Sequence, residues 1–316
     1  MKLLTEWPLQ PQSPGIDYTS SLFLMGSCFT ENIGDKLSYY QFPVIQNPFG
    51  IVFQPEAIEK LINRIVHRIY FTSEDIFFHN ERWQSFEVHS KLNATSSEIL
   101  LENLNTRIEA SHKNLRHATH VILTMGTSWV YEHKETGKRV ANCHKVPQNQ
   151  FTKELMPVAD ITRSLYEIEN TLREIAPKST LLLTVSPVRH LKDGFTENQL
   201  SKAHLITALH SFLAKHTNAY YFPAYELMID SLRDYRFYEE DMVHPNAMAI
   251  TYIWEKFCGQ WVKKECEGTM REVAAIRKGQ AHTFFNPNSQ QAKSFEEKLQ
   301  KKKDMLLKKY PFMTFL

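Results

Sequence analysis

Short apolar segments alternate with amphipathic helical patterns along most of this chain, and this alternation constrains its fold more than any other feature. Apolar segments that we interpret as strands lie at 21–25, 119–125, 180–185 and 219–222. Helical patterns lie between and after them, at 31–40, 56–69, 95–118, 161–175, 198–216, 245–263 and 289–309. Such alternation is typical of an α/β fold with an open, mainly parallel sheet and helices on both faces. Two further segments, 71–90 and 130–140, have the patterning of small β excursions.

The composition fits a globular protein and excludes several classes of function. A hydrophobic content of 42% and a charged content of 23% are ordinary, and a net charge of +2 is too small to indicate a nucleic-acid partner. No segment approaches the ~18 continuous apolar residues of a membrane span, and residues 1–8 lack the apolar core of a signal peptide. The four widely spaced cysteines favour reduced thiols, and we therefore expect a cytoplasmic protein.

A change in composition near residue 265 suggests the domain boundary. We expect one α/β domain over residues 1–265 and a charged, helical extension over residues 266–316, which is rich in lysine, glutamate and leucine. The basic runs in this extension are interpreted as a solvated helix face. A helix of this kind could also bring copies of the chain together, so a homo-oligomer is one expectation.

Two segments near opposite ends of the chain carry the residue types of nucleophilic catalysis. Cys28 follows Gly26 and Ser27 in a small-residue turn between the first strand and the first helix. A thiol at a helix N-terminus is favoured as a thiolate by backbone N–H groups and the helix dipole, which predicts a lowered pKa. Asp241 precedes His244 by three residues, a spacing that lets the carboxylate orient the imidazole as a general base.

Each of these residues has a structural alternative, which for His244 is a surface histidine at the start of a helix. Cys28 is also interpretable as an inert buried thiol, because free cysteine is among the most buried residue types. Ser27 is the rival nucleophile, or a helix N-cap. Asp241 suits capping of the helix that follows Pro245, and this role is compatible with orienting His244.

The order of six short motifs resembles the GSCFA family, which is similar to the SGNH/GDSL hydrolases with their flavodoxin-like three-layer α/β/α fold. The motifs are Gly-Ser-Cys-Phe, Asn-Pro-Phe-Gly, Gly-Thr-Ser, Asn-Cys-His-Lys, Ser-Pro-Val-Arg-His and Asp-x-x-His-Pro. The resemblance covers roughly residues 20 to 262, and ordered motifs on this scale make coincidence improbable.

The resemblance implies a role for each motif. Cys28 stands where the superfamily has its nucleophilic serine, and Asp241 and His244 match its last block. The second block implies Gly50 as an oxyanion donor. Gly126 and Ser128 fall on the third block, where Ser128 replaces an asparagine that donates to the oxyanion. We expect Asn142, or else Asn47, to supply the missing amide.

Two loops offer further candidates for binding the substrate. His144 lies beside Asn142 in a chemically dense loop, and Arg189 follows a strand at the expected edge of the sheet, where a planar fork suits a carboxylate or phosphate. A structural ion pair is the alternative for Arg189. Cys143 and His144 with Cys28 and His244 have ligand chemistry for zinc, but their spacing is not that of a zinc site, so no metal is expected.

The sequence as a whole favours esterase or acyltransferase chemistry on a small-molecule or glycan ester, without a cofactor. Cys28 or Ser27 attacks, His244 removes the proton and Asp241 orients His244. The alternative is a non-catalytic binding module on a hydrolase-like scaffold, which the altered third block favours. A zinc hydrolase is a third interpretation.

Overall fold

A five-stranded parallel sheet lies at the centre of the computed structural model, which describes residues 7–315. The first six residues, on which the signal-peptide prediction rests in part, lie outside this range. The chain contains strands β1 (Leu22–Gly26), β2 (Val44–Gln46), β3 (Phe77–His79), β4 (Arg82–Gln84), β5 (His120–Met125), β6 (Trp129–His133), β7 (Lys138–Val140), β8 (Phe151–Leu155), β9 (Thr180–Val185) and β10 (Ala219–Phe222). The central sheet has the order β10-β9-β5-β1-β2. Counted along the chain this is 2-1-3-4-5, the flavodoxin-like order.

Helices cover both faces of this sheet and complete a three-layer α/β/α architecture, as the sequence predicted. They are α1 (Cys28–Tyr39), α2 (Pro55–His67), α3 (Ser97–Arg116), α4 (Val158–Ile175), α5 (Phe195–Leu213), α6 (Ala224–Glu226), α7 (Ala247–Trp261), α8 (Cys266–Gln280) and α9 (Gln290–Lys309). Each predicted helix is found, with ends that differ by a few residues. Among residues 7–315, no helix has the length and apolar character needed to span a membrane.

The alternation of side chains along the strands divides the core into two layers. Phe23 and Met25 of β1 face the layer formed by α2, α3, α4 and α5. Leu22 and Leu24 of the same strand face the layer formed by α1, α7 and α8. Because successive strand residues point to opposite faces, one short apolar strand contributes to both layers, as is usual for parallel sheets.

Two small antiparallel sheets interrupt the alternation. The predicted hairpin within 71–90 is the β3–β4 pair, and the predicted excursion after β5 is a three-stranded sheet with the order β7-β6-β8. Strand β8 was not predicted, because Thr152, Lys153 and Glu154 are exposed polar residues without the apolar pattern of a strand. It pairs with β6 from Trp129 to His133, so cross-strand hydrogen bonds hold it together with the burial of one residue, Phe151.

The C-terminal extension packs against α1 and adjoining residues. Val273 and Ile276 of α8 and Leu306 of α9 are buried in the same apolar layer as α1. Arg277 donates to the Tyr39 carbonyl at 2.7 Å, near the end of α1. The helical character predicted for residues 266–316 is therefore found, whereas association of copies through this extension remains a prediction.

Candidate active site

The loops that follow four strands of the central sheet meet at its carboxyl edge. The Asn47 side chain, after β2, accepts a hydrogen bond of 2.9 Å from the Gly26 N–H at the end of β1. The Gly126 N–H, after β5, donates to the Phe53 carbonyl at 2.8 Å, and Ser186 N–H, after β9, donates to the Met125 carbonyl at 2.8 Å. The parallel arrangement of β1, β2, β5 and β9 places these loops together, as the sequence predicted.

The turn from β1 into α1 depends on glycine at position 26. Gly26 has a φ of +148°, and a Cβ there would stand 2.3 Å from the carbonyl oxygen of Thr124 on β5. No side chain fits without moving the backbone of that strand. The chain can therefore leave the sheet sharply and start α1 at Cys28.

Ser27 is a buried N-cap. Its hydroxyl accepts the Phe29 N–H at 3.2 Å and donates to the Ser186 hydroxyl at 3.0 Å, while only 2% of the residue is exposed. The capping interpretation of Ser27 therefore matches its geometry. The hydroxyl is already engaged on both sides, and it links the loop after β1 to the loop after β9.

Cys28 is the first residue of α1 and is only partly buried. Burial raises the pKa of its thiol, although the N–H groups of Cys28 and Phe29 and the ammonium of Lys202 act in the opposite direction. The predicted lowering of the Cys28 pKa is therefore wrong, because loss of hydration outweighs the helix N-terminus at this position. A neighbouring group must take the proton if Cys28 is to react as a thiolate.

Asp241 and His244 form a close pair on an exposed loop between β10 and α7. The Asp241 Oδ2 atom lies 2.6 Å from His244 Nδ1, and Oδ1 accepts the backbone N–H groups of Val243 and His244. These hydrogen bonds, led by the His244 N–H, lower the pKa of Asp241 to about 2. A carboxylate on Nδ1 fixes the proton there and leaves Nε2 as the free acceptor. Asn246, rather than Asp241, caps α7.

Arg189 holds the Asp241–His244 loop against the loop after β9. Its backbone N–H donates to the Val243 carbonyl at 3.2 Å, and its guanidinium donates to the Met242 carbonyl at 3.2 Å. The guanidinium carbon also lies 5.6 Å from the ring of Tyr238. Arg189 therefore contacts this loop through carbonyl groups rather than through the ion pair that the sequence suggested as its alternative. Its role in binding a substrate stays a prediction.

The residues of the third block are anchored to α5. The Ser128 N–H donates to the Ser201 hydroxyl at 2.8 Å, and the Ser128 hydroxyl donates to the Ser201 backbone carbonyl at 3.1 Å. Ser128 is fully buried. Gly126 packs against Phe53, whose ring would stand 2.9 Å from a Cβ at position 126. These contacts are those of a tight strand-end turn.

The predicted oxyanion donors differ in their availability. The Gly50 N–H closes a turn by donating to the Asn47 carbonyl at 2.8 Å. The Asn142 side chain accepts the His144 N–H at 2.9 Å, and the buried His144 ring contacts the Ser85 carbonyl at 2.7 Å. The Asn47 Nδ2 group is buried and has no hydrogen-bond partner among the described residues. Because Gly26 N–H fixes the Asn47 oxygen, Nδ2 is the atom left to donate.

Lys202 of α5 lies at this edge of the sheet, although the sequence analysis did not predict it as a site residue. It is 1% exposed, and its ammonium donates to the carbonyls of Gly126 at 2.7 Å and Ser186 at 2.8 Å, at the ends of β5 and β9. Burial lowers the pKa of Lys202 to about 7, while the charge of Cys28 acts in the opposite direction. A signal was present: Lys202 shares the buried stripe of α5 with Asn198 and Leu205.

The depressed pKa of Lys202 predicts a pH-dependent stability. In the unfolded chain the lysine pKa is about 10.4, so between pH 7 and 10 the unfolded state binds more protons and the stability rises with pH. Relative to Lys202→Met, the wild type should gain up to about 1.4 kcal/mol per pH unit between pH 7 and 9. Urea unfolding of both proteins from pH 6 to 9 measures this. A difference that does not vary with pH would contradict the prediction.

His190 lies close enough to both Lys202 and His244 for their charges to affect it. Its ring packs on Phe53 with 5.1 Å between centroids, and burial, with the nearby charges of Lys202 and His244, lowers the pKa of His190 to about 3. The imidazole is therefore neutral at physiological pH. Its Nε2 atom is buried and lacks a hydrogen-bond partner within residues 7–315.

Two further observations limit the site. In the part of the chain that the structure describes, no three His, Cys, Asp or Glu side chains lie close enough to hold a metal ion. A cleft of about 390 Å³ lies between α2 and the β6–β7 hairpin, with Gln54, Glu56, Val130 and Arg139 in its wall. Ser27, Cys28, Asp241 and His244 are not among its lining residues, so this cleft is separate from the catalytic candidates.

Comparison with known proteins confirms the family that the motifs suggested. The model of the GSCFA family matches residues 21–257, a segment that contains both Cys28 and His244. A search of the curated proteins gives no match.

Proposed function

The chain belongs to the GSCFA family, and on that premise we propose that it is an SGNH-like acyl hydrolase or acyltransferase with Cys28 as its nucleophile. One observation carries this proposal: a partly exposed thiol at the N-terminus of α1 shares a sheet edge with a histidine that a carboxylate orients at 2.6 Å. The flavodoxin-like strand order and the Asp-x-x-His spacing support the SGNH placement. Ser27 is less suited, because its hydroxyl is buried and engaged.

The proposed reaction proceeds in two steps. His244 takes the proton of the Cys28 thiol, the resulting thiolate attacks the carbonyl carbon of an ester, and the carbonyl electron pair moves onto oxygen to give an oxyanion. Collapse of this intermediate forms a thioester and expels an alkoxide, which takes a proton from His244. Water or an alcohol then gives its proton to His244 and attacks the thioester, and the departing Cys28 thiolate takes that proton back to restore the thiol. The unpaired cysteines suit a reducing compartment such as the cytoplasm.

Trapping of the acyl group tests the proposal. The protein is incubated with p-nitrophenyl esters of increasing chain length, quenched in acid, and digested for mass spectrometry. We expect an acyl group on the peptide that contains Cys28, with release of p-nitrophenol. Modification of lysine side chains alone, at the rate of the unfolded chain, would count against an active site.

Asn47 is the proposed side-chain donor to the oxyanion, in place of the superfamily's third-block asparagine. Its Nδ2 group is buried and unpaired, and its amide is fixed by Gly26, two residues before Cys28. Loss of one preorganised donor is expected to lower turnover by about 100-fold in Asn47→Asp, which keeps the acceptor for the Gly26 N–H. Asn142→Ala is the matched variant, with little effect expected. The reverse order of the two effects would restore Asn142 as the donor.

The altered third block favours one other function, a binding module without catalysis. The Ser128 hydroxyl is directed at Ser201, and the Gly50 N–H is used in a turn, so two expected donors are not free. A module of this kind would bind an ester or glycan without turnover. It would also leave the Cys28 thiol no more reactive than the half-buried thiol of Cys143.

A further inference from the structure

The loop that carries His244 lies beside exposed apolar side chains. The exposed fraction is 67% for Phe195, 66% for Tyr235 and 43% for Met242, which precedes His244 by two residues. Isolated apolar residues are ordinary on a protein surface, whereas a contiguous group of them beside a candidate site is typical of a binding surface. Whether these three side chains are contiguous therefore decides what they indicate.

Arg189 joins these side chains into one surface. Its guanidinium carbon lies 5.5 Å from the centre of the Phe195 ring and 5.6 Å from that of the Tyr238 ring. The Tyr238 and Tyr235 rings are 6.1 Å apart between centroids, and the Arg189 guanidinium donates to the Met242 carbonyl at 3.2 Å. We call this continuous surface the rim, and its members are Phe195, Arg189, Tyr238, Tyr235 and Met242.

Backbone contacts hold the rim at a fixed place relative to His244. The Glu239 N–H, next to Tyr238, donates to the His244 carbonyl at 2.8 Å. Tyr238 itself pairs with Pro245, the residue after His244, in an isolated antiparallel bridge. The rim is therefore tied to the residues on either side of the imidazole, and a molecule that contacts His244 can also contact the rim.

Met242 adopts a backbone conformation that does not favour methionine. Its φ is +55°, in the left-handed region that glycine and asparagine adopt most readily. Its side chain is exposed, so burial in the core does not offset the unfavourable conformation. Neither conformation nor stability accounts for an apolar side chain at this position, whereas contact with an apolar ligand does.

The proposed reaction determines which half of an ester lies on the rim. His244 protonates the leaving oxygen in the first step and takes a proton from the incoming water or alcohol in the second. Both oxygens must therefore come within hydrogen-bond reach of its imidazole. The carbon chain on that oxygen extends from His244 onto the neighbouring residues, whereas the acyl chain is attached to the carbonyl carbon at Cys28.

We propose that the rim binds the alcohol half of the ester, and that this alcohol is apolar, with alkyl or aromatic carbons. This inference rests on the proposed function, because it uses the proton transfers of His244. Aromatic rings offer a large apolar contact area, and a methionine side chain adapts to ligands of different shape. In a transferase reaction the same surface would hold the acceptor alcohol.

Three esters test which half of the substrate the rim binds. Relative to phenyl acetate, 4-pentylphenyl acetate carries a pentyl chain on the alcohol half, and phenyl heptanoate carries the same added carbons on the acyl half. A para-alkyl group scarcely changes the acidity of the phenol, so the leaving groups are matched. A fully buried methylene strengthens binding about fourfold and a half-covered one about twofold, so the pentyl chain on the alcohol should raise kcat/KM about 30-fold. A larger gain from the acyl chain than from the alcohol chain would overturn the inference.

A triple variant assigns the pentyl gain to the rim. It combines Phe195→Ser, Tyr235→Ser and Met242→Asn, which are changes at exposed positions, and asparagine suits the left-handed backbone at 242. The gain should fall from about 30-fold to below about threefold. Phe285→Ser is the matched control, because Phe285 is a fully exposed phenylalanine between α8 and α9, and it should keep the gain. Persistence of the gain in the triple variant would overturn the inference.

Binding without turnover separates this inference from the proposed function. Equilibrium dialysis measures the binding of 4-pentylphenol to Cys28→Ala, with and without the triple variant. Binding that the triple variant weakens about tenfold or more would support the rim even if no ester is hydrolysed. Ester hydrolysis without a pentyl gain would refute the inference and leave the proposed function intact. A wild-type dimer in sedimentation that the triple variant lacks would also refute it, because the rim would then join two copies of the chain.

Discussion

Cys28→Ala is expected to lower ester turnover by about 10⁴-fold, because no other group at the site is placed to form the covalent intermediate. Ser27 cannot replace the thiol readily, since its hydroxyl caps α1 and donates to Ser186. The fold should persist, because Cys28 is only partly buried and alanine is a good helix former. Steady-state release of p-nitrophenol, corrected for the uncatalysed rate, measures the effect.

Cys143→Ala is the matched control for this variant. Cys143 is also partly buried, and burial raises the pKa of its thiol to about 11, but it lies in the small core cluster beside Phe151 rather than at the sheet edge. Its turnover should stay within about twofold of the wild type. Retained turnover in Cys28→Ala together with lost turnover in Ser27→Ala would identify Ser27 as the nucleophile. The loss of the N-cap should by itself lower the free energy of unfolding of Ser27→Ala by only ~1 kcal/mol, which leaves the protein folded.

His244→Gln is expected to lower turnover by about 10³-fold, because both steps of the proposed reaction pass a proton through this imidazole. Asp241→Asn should have an effect of similar size, since an amide does not hold the Nδ1 proton as a carboxylate does. The pKa of Asp241 is about 2, so the carboxylate stays ionised and the loss should be uniform from pH 5 to 8. The ratio of kcat/KM values across this range measures it.

Asp234→Asn is the control for the loop. Asp234 caps its own turn through the Arg236 N–H, as Asp241 does through Val243 and His244, but no histidine is bound to it. Normal turnover in Asp234→Asn together with loss in Asp241→Asn would assign the effect to the histidine contact. Equal losses in the two variants would indicate that the loop conformation alone is responsible.

The sequence predicted the scaffold well because the scaffold depends on patterns that are local. An apolar run such as 180–185 is stable only when it is buried, so it predicts a core strand. A helix such as α2 shows its apolar face within four turns of sequence. The meeting of strand-end loops then follows from parallel topology alone. By contrast, β8 is held by pairing with β6, and its three exposed polar residues carry no local signal.

The site was harder to predict because its properties depend on what surrounds each group. A helix N-terminus lowers the pKa of a solvated thiol, but Cys28 loses enough hydration to reverse the sign. In the sequence Lys202 resembles an ordinary surface lysine of a helix. Only its helical spacing from Asn198 and Leu205 indicates that it lies on the buried side of α5. The availability of Gly50, Asn142 and Asn47 as donors depended on hydrogen bonds that no spacing reveals.

Because the extension packs against α1, the folded domain is longer than the segment that the family model matches. The matched family segment stops at residue 257, within α7, yet Val273 and Ile276 lie beyond it in the layer that buries Leu22 and Leu24 of β1. At the far end, the Thr314 N–H donates to the Gln41 side chain, just after α1. A relative that ends at the family boundary must cover this face of its sheet in another way. We therefore expect members of the family to differ in what covers this face, which would be an insertion, a partner subunit or a different C-terminal tail.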